Sequence, residues 1–313
     1  MIETVWGAIP AETLGVTMCH EHLALDLSHV RGDTDSVFTD TPLIAGELNK
    51  LYDQGCRGVI EVTCNDMGRD VERLRGYSRA TGLHIVASTG FYLAPYHPRW
   101  LHTATVEEIA QLFIHELTVG IGETGVRAGL IAEIATSSDC IHPTERKVFE
   151  AAAMASARTG CAISTHCDMG TRGLEQVQLL VSKGATPEKI ILGHIDLADD
   201  REYHLALLKT GANLAFDTIG KTSYLSDQRR ADNLAALLAA DYEDKLLLSQ
   251  DVSRLSYLTA SGGRGYTAVL GWFATLLRER GITQAQLDKL LIYNPARILD
   301  RQERIGADVF KCS

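Results

Sequence analysis

Short apolar runs alternate with longer amphipathic segments along most of this chain. The apolar runs are six to eight residues long and rich in β-branched residues, which predicts strands. Eight of them occur, at residues 16–23, 58–63, 84–90, 128–135, 161–167, 190–196, 212–218 and 246–251. The segments between them repeat apolar residues at helical spacing, as at 105–120, 143–160 and 173–184. Strict β/α alternation predicts an α/β fold with a parallel sheet, closed as a (β/α)₈ TIM barrel, with an open doubly wound sheet as the alternative.

The chain shows no internal boundary between domains. It has no low-complexity tract, charge block or linker rich in proline and serine. We therefore expect a single domain over residues 1–313. The residues before the first strand form a short N-terminal extension, and the segment 283–299 is expected to add an extra C-terminal helix.

Composition and charge narrow the possible partners. The formal net charge is −10 and 45% of the residues are hydrophobic, as in an ordinary globular protein. An acidic chain without basic clusters is not expected to bind nucleic acid. No apolar run approaches the length of a membrane span, and the start of the sequence lacks the pattern of a signal peptide, so we expect a cytoplasmic protein that does not bind membranes.

Polar side chains interrupt the apolar runs near their ends. The first run contains TMCHEHL, in which His20 and His22 share one face of a strand. Later runs contribute further groups of the same kind. The whole set is His20, His22, Glu133, His166, His194 and Asp251. In a parallel barrel the carboxyl ends of the strands meet at one mouth, so these side chains are expected to converge there.

Imidazole nitrogens and carboxylate oxygens are ligands for Zn²⁺, Mn²⁺, Co²⁺ and Fe²⁺, and the set contains no cysteine, which argues against a closed structural zinc site. A single histidine on an apolar strand is more often a hydrogen-bonded core residue than a ligand. The recurrence on several strands outweighs that alternative here. For the other seven histidines, which are expected on loops or helix faces, we retain the structural interpretation.

Glu133 determines the number of ions. It lies in the apolar segment LIAEIA, where an isolated carboxylate would be costly to bury in its charged form. A carboxylate shared by two cations avoids this cost. We therefore expect His20, His22 and Asp251 on one divalent ion, His166 and His194 on a second, and Glu133 between the two. Zn²⁺ is the first choice for both ions.

A second group of polar residues follows the seventh and eighth strands. Lys221, Arg254 and Tyr257 are expected on loops at the mouth, where they could hold a phosphate, carboxylate or sulfonate of a substrate. The alternative is that they are solvated residues of the rim. Asp217 is expected to orient a metal-binding histidine or to bind a substrate hydroxyl.

The motifs that carry these residues resemble the phosphotriesterase family of the amidohydrolase superfamily. They are the HxH of the first strand, VTCNDMGRD, VRAGLIAEIATS, THCD, GHIDLADD, FDTIG and the closing SQD, and they cover essentially the whole chain. Many members carry a carboxylated lysine as the bridging ligand, whereas this chain has Glu133, as in a glutamate-bridged branch. The resemblance implies the same six metal ligands. It also implies that Tyr92 lies over the metal centre, as in lactonases of the family.

The resemblance implies a hydrolase that acts on a small molecule. Its nucleophile would be a hydroxide shared by the two ions, with Asp251 and Glu133 as catalytic residues and Asp251 moving the proton. We expect a lactone or other carboxylic ester with an anionic or polyhydroxylated tail. Hydrolysis of an N-acyl amide or of a phosphoester by the same centre is an alternative, and a non-catalytic binding protein is a more remote one. A homodimer is compatible with the resemblance.

Overall fold

A computed structural model describes residues 1–301 of the chain. It contains an N-terminal hairpin and the strands of a parallel barrel. The strands are β1 (Ile2–Thr4), β2 (Gly7–Ile9), β3 (Thr17–Glu21), β4 (Gly58–Glu61), β5 (His84–Val86), β6 (Ser88–Thr89), β7 (Leu130–Thr136), β8 (Ile163–Cys167), β9 (Ile190–Gly193), β10 (Asn213–Phe216) and β11 (Leu246–Leu248).

The barrel strands follow one another in sequence order, and all of their pairings are parallel. One sheet runs β3-β4-β5 and a second runs β6 to β11. Two links join these sheets. A single residue, Ala87, separates β5 from β6, and the backbone N–H of Asp251 donates to the carbonyl of His20 at 3.2 Å. The predicted (β/α)₈ barrel is thereby confirmed.

Helices follow the barrel strands and cover the sheet. Their bounds are α1 (Ser28–Arg31), α2 (Thr41–Asp53), α3 (Val71–Thr81), α4 (Arg99–Thr103), α5 (Val106–Thr118), α6 (Pro143–Thr159), α7 (Gly173–Ser182), α8 (Arg201–Leu208), α9 (Asp227–Leu238), α10 (Ala274–Glu279), α11 (Gln284–Asp288) and α12 (Asn294–Leu299). None of these helices combines the length and apolar character that crossing a membrane requires.

Local sequence explains where several helices begin and end. Asp70 caps α3 by accepting from the N–H of Arg73, and Thr105 forms a capping box with Glu108 at the start of α5. At the C-terminal end of α6, Gly160 adopts a left-handed conformation with φ 69°, which glycine accepts without steric cost. These signals are local, and for this reason the predicted helix positions agree closely with the observed ones.

The N-terminal extension is the antiparallel hairpin of β1 and β2. The predicted C-terminal helix 283–299 is interrupted, because a π-helical turn at Lys289–Tyr293 separates α11 from α12. Several strands are shorter than the apolar runs. His194 and Asp251 lie beyond the last pairings of their strands, with left-handed φ values of 60° and 48°.

Candidate metal centre

The six predicted ligands converge at the carboxyl mouth of the barrel. His20 and His166 lie within β3 and β8, Glu133 lies in the middle of β7, and His22, His194 and Asp251 follow β3, β9 and β11 closely. All are buried except His166, which is partly exposed. The fold therefore brings together side chains from five strands, as the polar pattern predicted.

One group of side chains approaches Glu133 from the carboxyl ends of β3 and β11. His20 Nε2 lies 3.4 Å from Glu133 Oε1, and His22 Nε2 lies 3.5 Å from Glu133 Oε2. His22 Nε2 is also 3.2 Å from Asp251 Oδ1. Imidazole nitrogens and carboxylate oxygens of four side chains thus lie close together, and the spacing of His20, His22 and Glu133 is compatible with a shared ion.

A second group surrounds the same carboxylate from the side of β8 and β9. His166 Nδ1 lies 2.6 Å and His194 Nε2 lies 3.0 Å from Glu133 Oε1. The spacing of these three side chains is also compatible with an ion. Glu133 is therefore the one residue common to both groups, as its position in the apolar β7 suggested.

The carboxylate of Asp217 fixes two of these imidazoles. Its Oδ1 lies 2.9 Å from His194 Nδ1, and its Oδ2 lies 3.2 Å from His20 Nδ1. An ionised carboxylate only accepts hydrogen bonds, so Nδ1 of His194 donates its proton to Asp217, and Nε2 of that ring would be available to a cation. The His20 ring lies close to the same carboxylate without completing a hydrogen bond. The predicted orienting position of Asp217 therefore agrees with its contacts.

His22 is oriented by a relay that the sequence analysis missed. Its Nδ1 lies 2.9 Å from Thr63 Oγ1, and the Thr63 hydroxyl donates to Glu61 Oε1 at 2.5 Å. Because the hydroxyl gives its own proton to Glu61, it accepts one from His22, which leaves Nε2 free to bind a cation. Burial raises the pKa of Glu61 to about 7. The carboxylate of Glu61 within the apolar run GVIEVT was the feature of the sequence that could have indicated this relay.

Electrostatics at the centre favour a positive charge. Burial opposes ionisation of Glu133, but the surrounding imidazoles, His166 and His20 first, hold its pKa well below the ordinary range. For His194, burial favours the neutral ring, yet Asp217 and Glu133 raise its pKa well above the ordinary value. Carboxylates that stabilise an imidazolium would also stabilise a divalent cation at the same position.

A cleft of about 690 Å³, counting the part open to solvent, lies over these residues. This size suits a small molecule. All four predicted substrate-binding residues line it: Tyr92, Lys221, Arg254 and Tyr257. The Tyr92 hydroxyl lies 3.4 Å from His166 Nε2, so this tyrosine does lie beside the cluster.

Lys221 and Arg254, expected either to hold a substrate anion or to be solvated residues of the rim, both contact carboxylates of this chain. Lys221 is buried, and its ammonium donates to Asp251. Arg254 lies 3.3 Å from Asp33 and 3.5 Å from Asp35. Both cations are therefore partly neutralised by carboxylates of this chain.

Among the residues that line the cleft without having been predicted, two are charged, Arg31 and Asp168. Asp168 follows His166 directly in THCD, and its carboxylate accepts from the N–H of Ser138 at 3.2 Å. Its interaction with His166 lowers the pKa of Asp168 to about 2. Arg31 ends the short helix α1, whose sequence has no motif, so only the folded structure identifies it.

Two histidines expected to have structural roles are hydrogen-bonded in the core. His97 Nε2 lies 2.9 Å from the carbonyl of Tyr92, and His204 Nε2 lies 3.0 Å from that of Ile195. Both rings are buried.

A (β/α)₈ barrel with buried histidines and carboxylates at its carboxyl mouth is typical of metal-dependent hydrolases. Comparison with known proteins is more specific. Residues 1–299 match the model of the phosphotriesterase family. The chain therefore belongs to the phosphotriesterase family, whose enzymes use divalent metals.

Three relatives illustrate the range of the family. The phosphotriesterase homology protein of Escherichia coli is 41% identical over 283 residues, which are 90% of this chain and 97% of that protein. Its crystal structure, complexed with phosphate in the active site, has a TM-score of 0.90 and 40% identity and covers 92% of this chain and 99% of that chain. A phospho-furanose lactonase of Mycoplasmopsis agalactiae is 30% identical over 335 residues, covering 100% of this chain and 95% of that protein.

An N-acetyltaurine hydrolase of Danio rerio is 29% identical over 340 residues, covering 95% of this chain and 97% of that protein. The relatives with named activities are thus hydrolases of small molecules, and the bonds they cleave include a lactone ester and an amide.

Proposed function

We propose that this protein is a hydrolase with two divalent ions that opens a lactone or cleaves another carboxylic ester, and that its substrate carries an anionic or polyhydroxylated tail. One observation carries the proposal. Glu133 lies between two sets of imidazoles, with Oε1 2.6 Å from His166 and 3.0 Å from His194 and Oε2 3.5 Å from His22. In this proposal His20, His22 and Asp251 hold one ion, His166 and His194 hold the other, and Glu133 holds both.

The residues fit such ions in their hydrogen bonding as well as in their type. Three buried atoms of the cluster have no hydrogen-bond partner within the described part of the chain. They are the two ring nitrogens of His20 and Oδ1 of Asp251. Buried polar atoms without partners are costly, and coordination would remove the cost. Nitrogen and oxygen donors accept Zn²⁺, our first choice, and also Mn²⁺, Co²⁺ or Fe²⁺.

Bound divalent ions would lower the pKa of a coordinated water and polarise the carbonyl group of the ester. Asp251 is suited to the proton transfer. Burial opposes its ionisation, but the Lys221 ammonium and the His22 ring hold its pKa far below the ordinary value, so it is a carboxylate at neutral pH. It can take a proton as water adds to the acyl carbon and return it to the leaving alcohol oxygen, giving a carboxylic acid and an alcohol.

Other residues would bind and orient the substrate. Tyr92 presents its hydroxyl beside His166, and Lys221, Arg254 and Tyr257 line the same cleft. The named substrates of two relatives support an anionic tail, because a phospho-furanose lactone carries a phosphate and N-acetyltaurine carries a sulfonate. Both also carry the acyl carbon that a water molecule attacks.

A second candidate is hydrolysis of an N-acyl amide, which the N-acetyltaurine hydrolase relative favours. A third is hydrolysis of a phosphoester, for which the phosphate in the active site of the Escherichia coli relative is the supporting observation. The same centre could attack any of the three bonds. We place the ester first because lactonases occur both among the relatives and among the solved structures that match this chain.

The test is a substrate panel assayed on one preparation before and after chelation and after return of Zn²⁺ or Mn²⁺. The panel contains a phosphorylated furanose lactone, N-acetyltaurine and a phosphate ester, with a His22→Ala variant as control. We expect metal-dependent opening of the lactone to dominate. Turnover that chelation leaves unchanged would overturn the mechanism, and absence of any turnover above the variant would favour a binding protein.

A further inference from the structure

Three basic side chains line the cleft, and they differ in what neutralises their charge. The Lys221 ammonium contacts Asp251 and lies 3.4 Å from Ser253 Oγ, and the Arg254 guanidinium faces Asp33 and Asp35. The guanidinium of Arg31 has neither a hydrogen bond nor an ion pair with any part of the chain from residue 1 to 301.

The surroundings of Arg31 make this lack of a partner costly. Its Nη1 atom is shielded from solvent and still has no acceptor within residues 1–301. A shielded N–H of a charged group without an acceptor loses its hydration and receives nothing in exchange. An anion in the cleft would offset this cost, since a guanidinium can give two parallel N–H bonds to a phosphate, sulfonate or carboxylate.

The backbone holds Arg31 in place before any ligand arrives. It is the last residue of α1, and Gly32 ends the helix with a left-handed φ of 70°. On either side of this turn the loop is tied down: the N–H of Asp26 donates to Met67 at 2.8 Å, and that of Phe38 donates to Leu25 at 2.7 Å. A side chain presented by a fixed loop loses less entropy on binding.

Arg31 also lies near the reacting groups. Arg31, Tyr92 and Glu133 line the same cleft, and the Tyr92 hydroxyl lies 3.4 Å from His166 Nε2. An anion bound at Arg31 would therefore share this cleft with the cluster around Glu133.

We infer that Arg31 determines specificity by binding the anionic group of the substrate. This inference rests on the proposed function and deepens it. It differs from the expectation drawn from the sequence, in which Lys221 and Arg254 hold that group. Both of those cations already pair with carboxylates of the protein. The ligand class is a small acyl compound with one phosphate, sulfonate or carboxylate tail.

The experiment compares two lactones that differ only in a phosphate group. Arg31→Met and Arg31→Lys are assayed beside Arg127→Met, a control that removes an arginine paired with Glu3 outside the cleft. Charge-assisted hydrogen bonds of about 1.5–3 kcal/mol correspond to a loss of roughly 10- to 150-fold. We expect Arg31→Met to lose this much in kcat/KM on the phosphorylated lactone, mainly through KM, and less than threefold on the other. Arg31→Lys should recover part of the loss.

A binding arm keeps this test independent of turnover. Calorimetry on the metal-loaded protein measures the ring-opened aldonate with and without its phosphate. Weaker binding of the phosphorylated acid alone in Arg31→Met supports the inference even if no lactone is hydrolysed, in which case only the proposed reaction fails. Equal losses for both acids, or no loss for either, would overturn the role of Arg31. Thermal unfolding of each variant checks that the fold is retained.

Discussion

Asp217 holds His194 at two points: its Oδ1 lies 2.9 Å from the ring Nδ1 and accepts the backbone N–H at 2.8 Å. The same carboxylate reaches His20 through Oδ2, at 3.2 Å from Nδ1. One buried side chain of the β10 end therefore sets the rotation of two imidazoles that approach Glu133 from different strands. The geometry of the centre therefore depends on a residue outside the six proposed ligands.

Asp217→Asn should weaken metal binding without removing a ligand. The amide keeps one oxygen acceptor but loses the negative charge that faces Nδ1 of His194 and of His20, and loss of such partners typically costs 10- to 100-fold in metal affinity. Competition with a chelator measures this loss. Asp199→Asn is the matched control, because Asp199 pairs with Arg229 on the exterior. Equal affinity in both variants would show that Asp217 does not orient the histidines.

Thr63→Val tests the relay behind His22. The substitution keeps the shape of the side chain but removes the hydroxyl that connects His22 Nδ1 to Glu61, so we expect roughly tenfold weaker binding of the ion next to His22. Metal content after dialysis is the measurement. Thr63→Ser retains the hydroxyl and should restore binding. If serine behaved like valine, packing of the threonine methyl group and not the relay would explain the effect.

Glu133→Gln tests the shared ligand. A neutral amide cannot compensate two divalent cations, so the number of ions retained per chain should fall from two to one or none, and ester hydrolysis should fall by more than a hundredfold. Elemental analysis of the dialysed protein gives the ratio directly. Glu107→Gln, at an exposed position of α5, is the control. Two ions retained by Glu133→Gln would contradict the bridging role.

His97 should make stability depend on pH. Burial lowers its pKa to about 4, and its Nε2 lies 2.9 Å from the carbonyl of Tyr92. Between pH 6.5 and 4 the unfolded chain therefore binds more protons at this residue than the folded one, and stability falls as the pH falls through that range, by on the order of 3 kcal/mol.

Urea unfolding at pH 7 and at pH 5 checks this expectation. His97→Gln keeps a donor for the Tyr92 carbonyl and does not titrate, so its stability should change less between the two pH values than that of the wild type. His102→Gln, on an exposed position of α4, should change as much as the wild type. Parallel behaviour of all three proteins would remove His97 as the cause.

The sequence predicted most of the fold and the inner part of the site, for identifiable reasons. Alternation of apolar and amphipathic segments is a local signal that repeats eight times, and β/α connectivity leaves few ways to assemble it. The convergence of His20, His166 and Asp251 followed from the geometry of parallel strands, because residues at corresponding ends must meet. The ligand roles assigned to them remain predictions.

The outer part of the site was less predictable. Thr63 and Glu61 reach His22 through contacts between neighbouring strands. Such a relay has no characteristic spacing in the sequence by which it could be predicted. Arg31 ends the four-residue helix α1 within the long connection from β3 to α2, where position in sequence does not determine position in space. The sequence indicated that Lys221 binds a substrate anion or lies solvated at the rim, but it did not indicate the contact of its ammonium with Asp251, which follows the next strand.

The hydrogen bond from Asp251 to the carbonyl of His20 is the seam at which the last strand meets the first, between residues 231 positions apart. Because these two residues also belong to the cluster, the ions of the proposed centre would act as a clasp across that seam. Both ions could bind fully only when every strand of the barrel is correctly paired. Retention of metal would then indicate that the barrel has closed correctly, and a chain with a slipped strand would lose its metal.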